Sequence, residues 1–263
     1  MNQTGAQDTI DLKAIFSKIA RKWWLFLITV SIAVAAAAAY IKTTPKAYRV
    51  KSVLRMSEGR RASFGGNKEE FLKGSGYLKT DAELEDEITM IKSVNNMTNT
   101  LKKLDFSIGY FETVNFLTKE VYDAPPFIVH MDSATTQMCG VAIHVKVDTM
   151  GGTWRVKATG KNVRLYDLRT SQMLTDDFIR NVDIDEIVAL GQSFKQEHLN
   201  FSIELPKKYV MNAKSDYFFV LNPLDELLRQ WQGATSVDPM SDESNIVTLT
   251  TTGEVISKQK RFL

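Results

Sequence analysis

Between Trp23 and Ile41 the chain carries no charged residue, running Trp23-Trp24-Leu25-Phe26-Leu27-Ile28 and on through the alanines Ala35 to Ala39. At about 1.5 Å rise per residue this stretch spans roughly 28 Å as a helix, close to the roughly 30 Å of a bilayer's hydrocarbon core. Both ends suit a membrane–water interface. Arg21, Lys22, Trp23 and Trp24 flank one end, Tyr40 and Lys42 the other, where amphipathic rings and cations sit best. A single membrane crossing is the expectation, with Trp23, Trp24, Leu25, Phe26, Leu27, Ile28 and Tyr40 as its anchoring residues. A buried helix of a soluble domain and a signal peptide cut after the small residues are the competing readings. A signal peptide has a short basic start. Here about 22 residues precede the apolar run, and Ile10, Leu12, Ile15, Phe16 and Ile19 recur among them at helical spacing. These form either an amphipathic surface helix or the beginning of the same long helix. Charge does not orient the span, because Lys13, Lys18, Arg21 and Lys22 precede it while Lys42, Lys46, Arg49 and Lys51 follow.

With 33 basic against 31 acidic residues and a formal charge of +2, the chain has no basic stripe of the kind nucleic acid requires. Its single cysteine, Cys139, excludes an internal disulfide. The three histidines, His130, His144 and His198, are scattered and show no metal-ligand spacing, so they read as surface or strand-pairing residues. No nucleophile elbow or dinucleotide fingerprint is present. The Asn-x-Ser/Thr triplets at Asn2, Asn96 and Asn200 occur at the level of chance.

Beyond the span, Pro45 closes the helix and Tyr48 to Met56 alternates as a strand. Ser57 to Gly76, with Arg60, Arg61, Gly65, Gly66 and Lys68, is polar and glycine-rich and reads as a loop, without the spacing of a phosphate cradle. From Asp81 to Leu104 the residues Leu84, Ile88, Ile91, Val94, Met97, Leu101 and Leu104 fall three and four apart, predicting one continuous amphipathic helix. Its acidic start (Asp81, Glu83, Glu85, Asp86, Glu87) and basic end (Lys102, Lys103) complement the helix dipole, which explains the carboxylates without catalysis. Period two then dominates. Val141, Ile143, Val145 and Val147 face one way, Gly151-Gly152 makes a hairpin turn, and Leu199, Phe201, Ile203 and Leu205 alternate again. Tyr217 to Leu221 reads as a strand covered on both faces, Asn222-Pro223 starts a short helix through Trp231, and Ile246 to Thr251 forms a last strand. The class is α+β: one membrane helix, then a domain with a mixed sheet and a long amphipathic helix.

In order along the chain, Ile10-Asp11-Leu12, Arg21-Lys22-Trp23-Trp24, Pro45-Lys46-Ala47-Tyr48, Glu87-Ile88-Thr89-Met90-Ile91-Lys92-Ser93, Glu120-Val121-Tyr122, Pro125-Pro126-Phe127 and Ser244-Asn245-Ile246-Val247 resemble the N-terminal part of the polysaccharide chain-length determinant family. Its matching positions here include Pro45, Tyr48, Glu87, Ser93, Tyr122 and Pro126. The resemblance implies a bacterial inner-membrane protein divided into a cytoplasmic segment 1–22, a transmembrane helix 23–41, a periplasmic α+β domain 42–253 and the start of a further helix at 254–263. It also implies ring-like homo-oligomers that contact a polysaccharide polymerase or exporter, and lipid-linked polysaccharide, without enzymatic activity or a cofactor. Family members return to the membrane through a second crossing, so the chain reads as truncated after Lys258-Gln259-Lys260-Arg261-Phe262-Leu263. Two other readings stay open: the membrane half of a polysaccharide tyrosine autokinase, or an unrelated membrane-tethered extracytoplasmic sensor domain.

Overall fold

The computed structural model describes residues 22–44, 46–56, 81–207, 212, 215–241 and 246–263. The segment before Lys22, Pro45 and the glycine-rich stretch with Arg60, Arg61, Gly65, Gly66 and Lys68 lie outside the described residues. Contacts divide the chain into two units, Met1–Pro45 and Lys46–Leu263.

In the first unit, helix α1 (Trp23–Thr43) is apolar around its whole circumference. Trp23, Phe26 and Ile41 are 65%, 73% and 74% exposed among the described residues. A helix apolar all round belongs in a core or in lipid. The Thr29 hydroxyl donates to the Phe26 carbonyl at 2.9 Å, so it is satisfied within the helix, as a lipid environment requires.

The second unit is built on three sheets. The largest has seven strands: β2 (Ile108–Val114), β3 (Leu117–Glu120), β5 (Thr136–Met138), β6 (Ile143–Asp148), β7 (Thr153–Asp167), β8 (Gln172–Ala189) and β11 (Asp216–Leu221). They run in the order β3-β2-β11-β6-β7-β5, with β8 also paired to β7. A second sheet joins β4 (Ile128–Met131), β10 (Leu199–Glu204) and β9 (Phe194–Gln196); a third joins β1 (Tyr48–Arg55), β13 (Ile246–Gly253) and β12 (Thr235–Pro239). All pairings among the described residues are antiparallel. The expected mixed sheet is therefore corrected to antiparallel sheets, in which five of these ten pairings are short hairpins and the other five join strands distant in sequence.

The hairpin expected at Gly151-Gly152 joins β6 to β7. Gly152 takes φ +62°, and the Asp148 carboxylate accepts from the amides of Met150 and Gly151. Its inward residues Ile143, Val145, Trp154 and Val156 are 2% exposed or less. They meet Phe194, Leu199 and Phe201 of the second sheet in the main core. Strand β11 buries Tyr217, Phe219 and Leu221 on one face. On the other, Phe218 and Val220 are half-buried, with the Phe111 ring stacked on Phe218 at 5.1 Å and His144 beside it, so the cover expected on both faces is complete on only one.

The helix expected over Asp81 to Leu104 is two helices, α2 (Asp81–Lys92) and α3 (Val94–Lys103). Ser93 breaks them with extended backbone (φ −61°, ψ 143°), and its hydroxyl accepts from the Asn96 amide at 3.3 Å. A serine in this role replaces a lost helical bond with a side-chain one. The break rotates the stripe, leaving Val94 and Met90 exposed while Leu84, Met97 and Leu101 are buried. α2 covers the third sheet through Leu84, Val237, Val247 and Leu249. α3 and α4 (Leu224–Ala234) share a core of Leu101, Phe106, Leu227 and Trp231.

Glu112 links β2 to the end of the sheet, accepting from Ser215 at 2.7 Å and Tyr217 at 2.9 Å and pairing with Lys119 at 2.9 Å. Burial pushes its carboxyl up, but these three donors outweigh burial and hold it below the ordinary carboxylate range. A depressed folded-state pKa stabilises fully above the unfolded value of about 4.5, and that stabilisation is lost as pH falls through the folded value. Glu112→Gln is therefore expected to flatten the decline of melting temperature with pH below about 4.5. Thermal melts of both proteins across the acid range measure this.

Candidate functional site

Two features of the described residues carry functional weight. The first is α1 itself, the one helix among them long and apolar enough to cross a membrane. Trp23, Trp24, Leu25, Phe26, Leu27 and Ile28 occupy its first turns and Tyr40 its last, all exposed, with Lys22 and Lys42 at the two ends.

The second feature is the seat of the terminal helix α5 (Ile256–Phe262), where the longest-range side-chain polar contacts among the described residues converge. Short helices form only with tertiary support. Here the support is specific. Lys258 is buried, forms an ion pair with Glu120 at the end of β3, and lies 5.1 Å from the Phe106 ring centroid. The Ser257 hydroxyl donates to Asp123 at 2.7 Å, and Arg261 donates to the Tyr122 hydroxyl at 3.1 Å. Phe262 stacks on Trp231 at 4.2 Å, and Trp231 stacks on Phe106 at 5.2 Å. Beside α5 lies a hollow lined by Tyr48, Glu120, Asp123, Glu254, Ser257 and Lys260. The Glu254 carboxyl is held above the ordinary range by partial burial and by the charge of Glu120, with Lys258 acting in the opposite direction.

Gln259 is also buried and is hydrogen-bonded to Thr251 of β13. A Cβ on Gly253 would stand 1.8 Å from the Gln259 amide nitrogen, so glycine is what admits this side chain. Gly253→Ala is expected to displace Gln259 and lower stability by about 1–3 kcal/mol, the cost of overpacking. A urea melt of the detergent-solubilised chain reads it, and an unchanged midpoint would mean the amide swings aside freely.

The positions singled out by family resemblance separate into two groups. Tyr48 and Glu120 line the hollow beside α5, and Tyr122 accepts from Arg261 of that helix. Glu87 lies on α2, Ser93 caps α3 and Pro126 is buried ahead of β4. Lys258, Gln259 and Phe262 were not singled out from sequence: Glu120 and Trp231, which receive Lys258 and Phe262, lie far away along the chain, and Gln259 meets Thr251 eight residues back only because α5 folds onto β13.

The remaining chemistry-bearing residues are dispersed. His130 pairs with Glu204 at 3.1 Å, His144 with Asp216 at 2.7 Å, and His198 hydrogen-bonds Thr136 at 3.2 Å. Burial pushes the Cys139 thiol up to about 11, far from a reactive thiolate. Among the described residues, no group of three His, Cys, Asp or Glu side chains is placed to hold a metal ion.

The described residues thus join an apolar helix long enough to cross a membrane to a body built mainly of antiparallel sheets. Residues 8–104 match the family described as chain length determinant protein, Wzz. That stretch takes in α1, β1, α2 and α3, and it bears out the resemblance seen in the sequence. The chain is also 26% identical over 117 residues to the tyrosine-protein kinase ptk of Acinetobacter johnsonii, a match covering 44% of this chain and 15% of that kinase.

Proposed function

We propose that this chain is a non-enzymatic regulator of the chain length or export of a bacterial surface polysaccharide, acting as an oligomeric scaffold in the inner membrane. In this reading α1 spans the membrane, the N-terminal segment is cytoplasmic and Lys46–Leu263 is periplasmic. The body contacts a polymerase or exporter, and its lipid-linked polysaccharide, through protein surface. The observation that carries the reading is the chain-length determinant match over residues 8–104, with the apolar helix α1 inside it.

The test is the length distribution of surface polysaccharide resolved on a gel. Removing the gene is expected to abolish the preferred length, and the wild-type chain to restore it. Replacing Trp23 and Trp24, which sit where an interfacial belt would lie, is expected to shift the distribution as well. A distribution indifferent to the gene would refute the proposal.

The similarity to a tyrosine-protein kinase supports a second reading, in which this region is the membrane half of a kinase system. That reading requires length control to depend on tyrosine phosphorylation in the same cells. Restoration by this chain in cells lacking tyrosine-kinase activity would exclude it.

A further inference from the structure

From Lys42 to Arg55 the sequence holds five cations, Lys42, Lys46, Arg49, Lys51 and Arg55, and no acid. Strand geometry sorts the last three onto one face, since residues two apart point the same way. Register places Arg49 opposite Thr252, Lys51 opposite Thr250, Val53 opposite Thr248 and Arg55 opposite Ile246. Beyond β13, Ser236 lies opposite Thr250 and Asp238 opposite Thr248. The reverse face is spoken for: Val237, Val247 and Leu249 are buried beneath α2.

The cationic face is open. Lys46, Arg49, Lys51 and Arg55 are exposed, and none takes part in an ion pair among the described residues. A shallow hollow is lined there by Arg49, Lys51, Thr250, Thr252, Ser236 and Asp238, so cations and hydroxyl donors converge with one carboxylate at the margin. Val53, 57% exposed, projects between the cations. The acids Glu120, Asp123 and Glu254 gather instead beside Tyr48, which shares the opposite face of β1, and Glu120 is neutralised by Lys258.

We propose that this face of β1 and β13 docks onto anionic phospholipid headgroups of the membrane that α1 crosses. Charge complementarity selects the occupant. Arg forks and threonine hydroxyls match phosphate oxygens, and an apolar side chain among cations suits the headgroup boundary. Covalent reach permits it, because the six Cα–Cα steps from Thr43 to Arg49 extend at most about 20 Å. The inference rests on the reading of α1 as a membrane span. It also gives a use to the cations after α1, whose presence leaves charge unable to orient that helix.

The test uses the full chain with Val53→Cys carrying an environment-sensitive probe, in nanodiscs of phosphatidylcholine alone or with phosphatidylglycerol, using headgroup-labelled quencher lipid. Quenching is expected only in anionic discs, and is expected to fade at high salt. Each cation near an anionic surface contributes a factor of about five to the docking equilibrium constant, so changing Arg49, Lys51 and Arg55 to serine is expected to lower that constant by on the order of a hundredfold. A probe at Met150→Cys, a fully exposed hairpin position, supplies the undocked signal. Equal quenching in both lipids, or quenching that survives the triple substitution, overturns the docking face. A chain that fails to enter the discs overturns the reading of α1 itself.

Discussion

Trp154→Ala is expected to lower stability by about 3–5 kcal/mol, near the upper end of what a single core substitution does. Trp154 has no exposed surface and stands on the strand that unites the main sheet, opposite Val147 of β6 on one side and Val188 of β8 on the other. Its indole N–H donates to the Ala189 carbonyl at 3.2 Å, and its ring meets Phe201 edge-on at 5.4 Å. Phe201 in turn meets Phe219 at 5.0 Å, so a single side chain couples the three-stranded sheet of β10 to the seven-stranded one. Truncation leaves a ring-sized void and an acceptor without its indole donor. For a body of this size the melting temperature is expected to fall by roughly 10 °C, with Trp154→Phe recovering part of the loss. Near-ultraviolet circular dichroism of the solubilised chain measures this. A fall of only a degree or two would mean that the aromatic cluster is not the cooperative centre of the fold.

Lys258→Ala is expected to be nearly as damaging for its size, because it strands a carboxylate. The Lys258 and Glu120 side chains are 9% and 17% exposed. Removing one partner of a buried pair costs about 3–5 kcal/mol, and the residual solvent at Glu120 brings the expectation to about 2–3 kcal/mol. Replacing both, as Lys258→Met with Glu120→Leu, is expected to be close to neutral, since apolar groups of similar volume also abolish the desolvation cost. The double-mutant cycle separates the pair's coupling from packing on Phe106. Undocking of α5 is read independently by trypsin, which gains access to Lys260 and Arg261 in the single variant. If the single and double variants are equally destabilised, then packing holds α5 and the ion pair does not.

The parts of this molecule written in local pattern were legible in its sequence. The uncharged run after Trp23 announced α1, the alternation from Val141 to Val147 before Gly151-Gly152 announced the β6–β7 hairpin, and Asn222-Pro223 announced α4. The rest depends on partners that the local pattern does not encode. Apolar spacing of three and four runs unbroken through Ser93, so only the capping bond to Asn96 and the separate packing of Leu84 and Leu101 divide α2 from α3. The 18-residue β8 carries exposed Asp183, Asp185 and Glu186 beside buried Val182 and Ile184, and its length follows from pairing along all of β7. The α5 seat was the least legible. Within the basic run Lys258-Gln259-Lys260-Arg261 nothing local marks Lys258 and Gln259 as buried, because the groups that receive them, Glu120 and Thr251, belong to other strands.

In the topology we propose, α1 crosses the membrane once and leaves the β-rich body outside the cytoplasm. Cys139, the single cysteine, is 4% exposed with its thiol pushed up to about 11, so cysteines introduced elsewhere are labelled against a quiet background. With a membrane-impermeant maleimide on spheroplasts, Met150→Cys is expected to be labelled without lysis, and Gly5→Cys only after lysis. Labelling of both only after lysis would contradict the account.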